Sequence, residues 1–110
     1  MRPALFHPKA LEVLRSFPED VRRAMGKAIL DLQKGHTLSM PLSKAMPSVA
    51  LGVEELRVHD AATQYRAFYY RKSPRGILVF HAFTKRTRKT AATEIALARR
   101  RLKEMLRAAK

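Results

Sequence analysis

Cysteine and tryptophan are absent from this sequence of 110 residues, and glycine and proline are few. Without cysteine the chain has no disulfide bonds and no thiolate ligands for a metal ion. Its four histidines are scattered and its carboxylates are scarce, so the residues do not suggest a histidine and carboxylate metal site either. We therefore expect a protein that binds no metal and no cofactor, and whose chemistry rests on side chains alone.

Long apolar segments are also lacking. No stretch approaches the roughly 18 apolar residues that cross a membrane as a helix. The first residues, Met1 to Phe6, do not resemble the apolar region of a secretory signal peptide. We expect a cytoplasmic protein that is not inserted in a membrane. Because a chain this short leaves no room for two cores, residues 1–110 are predicted to form a single domain.

Negative charge is in short supply. The sequence has nine Asp and Glu residues against 23 Lys and Arg, a formal net charge of +14 at pH 7. This excess is larger than solubility requires, and mutual repulsion on that scale lowers the stability of the folded state. A polyanionic partner explains it, which would be nucleic acid, an anionic membrane surface or an acidic protein. An inert basic surface is the remaining alternative. The positions of the charges along the sequence have to distinguish between these possibilities.

The first half of the sequence has helical periodicity. A short helix is predicted after Pro8, with its apolar residues at Leu11, Val13 and Leu14. A second helix is predicted from Ser16, which has the spacing of a capping box with Glu19, to Lys34, just before a glycine. We expect the two helices to pair as a hairpin. Residues 35–52 have no regular pattern and are predicted to form a surface connection.

The second half has the patterns of three strands. Residues 55–59 alternate between polar and apolar, as in a half-buried strand. The polar residues on one face of that strand are Glu55, Arg57 and His59. An aromatic-rich strand follows over residues 65–71, and after a turn residues 77–83 form an unbroken apolar run, which is typical of a strand buried on both faces.

A last helix is predicted from its apolar stripe, with Thr90 as its cap. The stripe consists of Ile95, Ala98, Leu102 and Met105. The order of the elements predicts an α+β fold in which an N-terminal helical hairpin packs on a small antiparallel β-sheet, followed by this C-terminal helix.

The positive charge is densest between the last strand and the last helix, where residues 85–90 read KRTRKT. A helix that starts here adds free N–H donors to the cationic side chains, which favours an anion. The residues predicted to bind phosphate groups are Arg86, Thr87, Arg88 and Lys89, together with Arg57. A solvated basic loop without a ligand is the alternative.

RNA cleavage without a metal ion is chemically possible for these residues. It needs a base for the 2′-OH proton, an acid for the leaving 5′-oxygen, and cations for the developing negative charge. His59 and His81 are candidates for acid or base, although a lone histidine is more often packed or exposed than catalytic. Arg66 and Lys85 are the candidates for electrostatic catalysis. The tyrosines that could stack on bases are Tyr65, Tyr69 and Tyr70, of which some must belong to the core.

Three segments of the second half match a known pattern. Residues 52–57 read GVEELR, residues 65–69 read YRAFY, and residues 80–90 read FHAFTKRTRKT, followed by a helix that contains Glu94-Ile95. In these segments the chain resembles the phage-derived HigB-like toxins of the RelE/ParE superfamily. It departs from their pattern at three positions: Arg86 replaces a Lys, Ala91 stands where a Pro often follows, and Glu54 replaces an aromatic residue.

The resemblance implies a RelE-like fold and the toxin role in a type II toxin–antitoxin system. It implies a ribosome-dependent endoribonuclease that cleaves mRNA in the A site without a metal ion. It also implies a HigA-like helix-turn-helix antitoxin. The toxin would contact operator DNA only through this antitoxin. The residues that match the family's basic functional surface are Arg57, Arg66, Lys85, Arg86, Thr87 and Lys89.

Two other functions remain open. A ParE-like inhibitor of DNA gyrase would share the scaffold, although the basic Lys85–Thr90 cluster argues against it. A non-catalytic RNA-binding module would need only the charge and the tyrosines. RNA cleavage on ribosomes distinguishes the predicted toxin from both.

Overall fold

Three helices and five strands make up residues 1–108, the part of the chain that the structure, a computed structural model, describes. In chain order they are β1 (Ala4–Phe6), α1 (Pro8–Ser16), α2 (Glu19–Gln33), β2 (Ser43–Ala45), β3 (Val53–His59), β4 (Gln64–Ser73), β5 (Gly76–Lys85) and α3 (Ala92–Ala108). The predicted α+β class is confirmed.

The two N-terminal helices lie where the sequence predicts them, but α2 begins differently. Ser16 does not form a capping box, because its Oγ donates to the carbonyl of Val13 at 2.6 Å. Pro18 takes the capping position of α2 without a side-chain hydrogen bond, and the acids Glu19 and Asp20 in the first turn favour the helix dipole instead. Gly35 follows the end of α2 at φ 94°, as predicted for the residue that terminates the helix.

The five strands form one mixed sheet in the order β1-β5-β4-β3-β2. The antiparallel meander β3-β4-β5 agrees with the sequence prediction. The expected purely antiparallel sheet is wrong at one edge, where β1 pairs in parallel with β5 and Leu5 lies opposite Leu78. Sequence periodicity misses β1 and β2 because three residues are too few to show an alternation.

The sheet separates two hydrophobic cores. On one face, α1 and α2 bury a cluster that includes Met25 and Leu56. On the other face, α3 packs Leu102 onto Phe68 and Phe80. Burying one side chain of this size stabilises the fold by about 1.5–3 kcal/mol. Strand β5 contributes to both cores, which confirms the prediction of a strand buried on both faces.

A β-bulge in β5 adapts the sheet to α3. Phe68 pairs with His81 and Tyr69 with Val79, so that Phe80 has no partner on β4. An extra residue of this kind lets two consecutive side chains point to the same face. Phe80 and His81 both contact α3 in this way.

Helix α3 begins one residue later than the sequence suggests and covers only part of its face of the sheet. The carbonyl of Ala91, rather than Thr90, accepts the first helical N–H, from Glu94 at 3.0 Å. At the end of the sheet where β3 meets β4, His59 and Gln64 are exposed. Within residues 1–108, no helix is long and apolar enough to span a membrane.

Candidate functional site

The strand register brings the predicted strand cations together. Arg57 on β3 lies directly opposite Arg66 on β4, and Gln64 lies opposite both His59 and Lys85. Residues that face each other across neighbouring strands point to the same side of a sheet. These five residues therefore share the part of the sheet that α3 leaves uncovered, and we call them the basic face: Arg57, His59, Gln64, Arg66 and Lys85.

Arg66 is held rigidly at the centre of the basic face. It is only 3% exposed. Its guanidinium donates to Gln64 Oε1 at 2.6 Å and to the carbonyl of Tyr65 at 3.1 Å. A guanidinium fixed by several hydrogen bonds is suited to contact an anion in one defined geometry.

Glu55 lies beneath the two arginines. Its side chain is buried, and its Oε1 is 3.6 Å from Nε of Arg57 and 3.6 Å from Nε of Arg66. These distances allow electrostatic attraction but are too long for hydrogen bonds. One carboxylate thus lies between two cations that face each other across β3 and β4.

The atoms at this centre lack hydrogen-bond partners. Among residues 1–108, the buried side-chain nitrogen and oxygen atoms without one are Glu55 Oε2, Arg57 Nε and Arg66 Nε. Leaving such a group unpaired costs about 1–3 kcal/mol, and more when it is charged. Because all three atoms belong to one cluster, we interpret the cluster as a site arranged for a ligand rather than for stability.

Burial and mutual repulsion shift the protonation of this cluster. Burial raises the pKa of Glu55, while Arg66 and Lys85 act in the opposite direction. The pKa of Lys85 is lowered, first by burial and then by Arg66, with Glu55 opposing both. Perturbed acids and bases of this kind are concentrated at functional sites.

The predicted phosphate-binding loop borders the basic face. Its members Arg86, Thr87, Arg88 and Lys89 are all exposed, and we call residues 86–89 the basic segment. Three of them line an open pocket of about 460 Å³ together with Arg57, Arg66 and Lys85. Lys89 is the exception, since it lines the neighbouring cleft between α1 and α3.

Two further pockets extend this one into a groove. A pocket of about 320 Å³ shares Arg57, Gln64 and Arg66 with it and continues past His59. Another, of about 690 Å³, shares Gln64 and Lys85 and also contains His59. The shared walls make a continuous groove along the basic face, and the exposed His59 lines two of its three pockets.

His81 lies apart from this groove. It is 2% exposed, with Nε2 at 2.8 Å from Glu94 Oε1 and Nδ1 at 2.8 Å from Nη1 of Arg101. Since a guanidinium only donates, Nδ1 accepts from Arg101 and the ring proton on Nε2 is donated to Glu94. Burial lowers the pKa of His81, which agrees with a neutral ring.

Tyr65 borders one pocket of the groove, but none of the three tyrosines presents an exposed ring for stacking on bases. Tyr65 is buried, packs its ring 4.9 Å from that of Phe17, and donates its hydroxyl to Asp60 at 3.0 Å. Tyr69 is fully buried, with its hydroxyl 2.7 Å from Ser43 Oγ and bonded to Glu54. Tyr70 is half-buried against the α3 core.

Sequence reasoning missed Glu55 and Gln64 as members of the site. The alternation of residues 55–59 places Glu55 on the face of Arg57, which is correct, but it cannot distinguish an exposed acid from a buried one. Gln64 becomes significant only through its register with His59 and Lys85. No group of three or more metal-ligating side chains occurs in residues 1–108.

These features define a small α+β protein whose mixed sheet presents a basic face, at the centre of which three buried atoms of charged groups lack hydrogen-bond partners. Residues 12–103 match the family described as Phage derived protein Gp49-like (DUF891), and the chain belongs to this family. None of the curated proteins matches the chain. The match runs from α1 into α3 and includes the whole basic face. The phage-derived character inferred from the sequence is thereby confirmed.

Proposed function

We propose that this protein is the toxin of a type II toxin–antitoxin system and a ribosome-dependent endoribonuclease that cleaves mRNA in the A site. The observation that carries the proposal is the convergence of Arg57, Arg66, Lys85 and His59 on one open groove, beside three buried charged-group atoms that lack hydrogen-bond partners. The association of the Gp49-like family with RelE/HigB-like toxins supports it.

The proposed reaction is a transphosphorylation. The 2′-oxygen of the substrate attacks the adjacent phosphorus while His59, the exposed imidazole beside the groove, accepts the 2′-OH proton. The bond from phosphorus to the 5′-oxygen breaks, and Lys85 donates a proton to that oxygen. The products are a 2′,3′-cyclic phosphate and a free 5′-hydroxyl. A lowered pKa makes Lys85 a stronger acid than an ordinary lysine.

Arg57 and Arg66 stabilise the charge that develops on the phosphate. Both guanidiniums line the groove, and Arg66 is oriented by Gln64 before substrate arrives. Preorganised cations in a partly desolvated site lower the barrier because they need no rearrangement in the transition state. The exposed cations of the basic segment bind the neighbouring phosphates of the message.

His81 has a supporting part in this proposal. Its buried ring and two occupied nitrogens do not favour a role as acid or base. Its bonds to Glu94 and Arg101 hold α3 on β5, and the basic segment connects these two elements. His81 therefore helps to fix the position of the basic segment.

The proposed inhibitor is a HigA-like antitoxin with a helix-turn-helix, which alone contacts operator DNA. The charge of the toxin favours an antitoxin surface rich in carboxylates or carbonyl oxygens that covers the basic face. The ribosome and its mRNA are the proposed partners of the free toxin.

Purified protein and ribosomes programmed with a defined mRNA test the reaction. Cleavage should leave 2′,3′-cyclic phosphate ends, and a message with a single 2′-deoxynucleotide at the cut position should resist cleavage there. Cleavage that persists at the 2′-deoxy position would rule out attack by the 2′-oxygen. An intact normal message would favour the gyrase inhibitor or the non-catalytic RNA-binding module.

A further inference from the structure

The arrangement of Arg57 and Arg66 is electrostatically unfavourable by itself. The two residues are directly paired across β3 and β4, and like charges in that position destabilise a sheet. Arg66 is almost completely buried and Arg57 is half-buried, so water screens their repulsion poorly. A nearby anion would offset this repulsion.

Glu55 is the acid in that position. It precedes Arg57 by two residues on β3 and reaches the Nε atoms of both arginines with the same oxygen, at 3.6 Å each. The cations that influence its carboxylate come from four strands: Lys44 on β2, Arg57 on β3, Arg66 on β4 and Lys85 on β5. One buried negative charge thus faces four positive ones.

The far ends of the arginines have separate contacts. The terminal nitrogens of Arg66 donate to Gln64 and to the carbonyl of Tyr65, and Nη1 of Arg57 lies 3.4 Å from the sulfur of Met40. Glu55 therefore lies nearest the Nε atom of each guanidinium, and both arginine side chains also line the groove. An oxygen between two Nε atoms aligns the groups with respect to each other.

We propose that Glu55 is a positioning residue that aligns Arg57 and Arg66 side by side, so that a single RNA phosphate contacts both guanidiniums. This inference rests on the proposed function and assigns a task to a residue that itself does not touch the substrate. Glu55 contributes alignment rather than affinity, because its negative charge opposes the binding of RNA.

Single-turnover cleavage on programmed ribosomes separates alignment from affinity. For Glu55→Gln, which keeps the shape and removes the charge, we expect the maximal rate to fall about 100-fold, since misplacement of a catalytic group by about 1 Å has an effect of that size. The ribosome concentration at half-maximal rate should stay the same or decrease. An unchanged maximal rate would overturn the proposal and leave the proposed function standing.

Glu54→Gln is the matched control. It removes an acid from the adjacent position of β3, but Glu54 contacts Tyr69 and Arg71 instead of the basic face. Its maximal rate should stay close to that of the unmodified protein. A similar loss in both variants would assign the effect of Glu55 to general stability, and melting curves of both proteins would show that loss directly.

The dependence of the cleavage rate on pH gives a second test, because a purely structural role of Glu55 would not shift it. The charge of Glu55 holds the pKa of Lys85 up, against burial and against Arg66, Arg57 and Lys44. Glu55→Gln should therefore shift the alkaline decline of the cleavage rate to lower pH. Glu55→Asp keeps the negative charge on a side chain that is one methylene shorter. The alkaline decline of its cleavage rate should therefore stay near the original pH, while its maximal rate remains low. An unshifted decline in Glu55→Gln would contradict the proposal.

A measurement without cleavage distinguishes failure of the inference from failure of the function. The Nε–H signals of Arg57 and Arg66, observed by ¹⁵N NMR, should both shift when a 2′-deoxy-substituted RNA hexanucleotide is added. In Glu55→Gln the two signals should no longer respond together. If that difference appears although the unmodified protein cuts no message, the positioning role stands and the nuclease does not. Equal responses in both proteins would overturn the positioning role.

Discussion

At the scale of single residues, the basic face combines charges that a stable protein would keep apart. Arg57 and Arg66 form a like-charged cross-strand pair, and three polar atoms around Glu55 are buried without partners. Such groups reduce stability, so their concentration in one groove favours the interpretation of the groove as a functional site. His81, by contrast, has both ring nitrogens occupied.

His81 makes the stability of the protein depend on pH. Its pKa is lowered in the folded state, so between that value and the ordinary value of 6.5 the unfolded chain binds more protons. We expect stability to fall as the pH drops below 6.5, by up to about 1.4 kcal/mol per pH unit. An imidazolium there would direct an N–H at the guanidinium of Arg101.

Urea unfolding of the unmodified protein and of His81→Gln between pH 4 and 8 measures this effect. Gln can keep hydrogen bonds to Glu94 and Arg101 but does not titrate, so its stability should decline less below pH 6.5. The difference between the two curves cancels the contributions of other groups, including the buried Glu55. Parallel curves would mean that His81 is not held neutral.

At the scale of elements, sequence periodicity is sufficient to predict a helix or strand when that element is long. Both N-terminal helices, the β3-β4-β5 meander and α3 follow from the sequence within a few residues. The short strands β1 and β2 do not, because their formation depends on partners distant in sequence. The hairpin arrangement of α1 and α2 and the likeness to RelE stay predictions.

The site depends on the pairing register of β3, β4 and β5, and the sequence of a single strand does not reveal that register. The alternation of β3 correctly places Glu55, Arg57 and His59 on one face. Their meeting with Arg66 and Lys85 follows only from the pairing of β3, β4 and β5. Burial of Tyr65 and Tyr69 likewise depends on which face the helices α1 and α2 cover.

Gly76 is required for the attachment of β1. Its φ is 143°, and a Cβ at this position would lie 2.3 Å from the carbonyl oxygen of Pro3. We expect Gly76→Ala to destabilise the protein by about 1–3 kcal/mol, since it combines backbone strain with a backbone clash. Gly26, inside α2, has open space around it, so Gly26→Ala should stabilise by about 0.5–1 kcal/mol.

Thermal melts of the two alanine variants provide the comparison. The same chemical change should lower the melting temperature at Gly76 and raise it at Gly26. A Gly76→Ala protein as stable as the unmodified one would show that β1 does not approach β5 as described.

At the scale of the whole molecule, the net charge of +14 is unevenly compensated. On α2, Arg23 pairs with Glu19 and Lys27 with Asp31, each one turn apart. The cations of the basic segment have no such partners among the described residues. Under the proposed function, this uncompensated charge beside the groove would attract the RNA to the site.

The salt dependence of RNA affinity measures this difference between the compensated charges of α2 and the uncompensated charges of the basic segment. Each phosphate contact of single-stranded RNA contributes a slope of about −0.7 to the plot of log affinity against log salt concentration. Removing Arg86 and Arg88 together should make the slope shallower by roughly 1.4, two contacts at that value. The control Arg23→Ala/Lys27→Ala removes two charges that are already paired. Equal changes in both double variants would mean that RNA binding responds only to net charge.

Primer extension on a translating message tests most directly whether the basic face cuts mRNA on the ribosome. The reaction contains the unmodified protein or Arg66→Ala/Lys85→Ala, with and without ribosomes, after melting curves have shown that the variant is folded. We expect codon-phased cuts that require ribosomes and disappear in the variant. Undiminished cutting by the folded variant, or a message left intact by the unmodified protein, would contradict it.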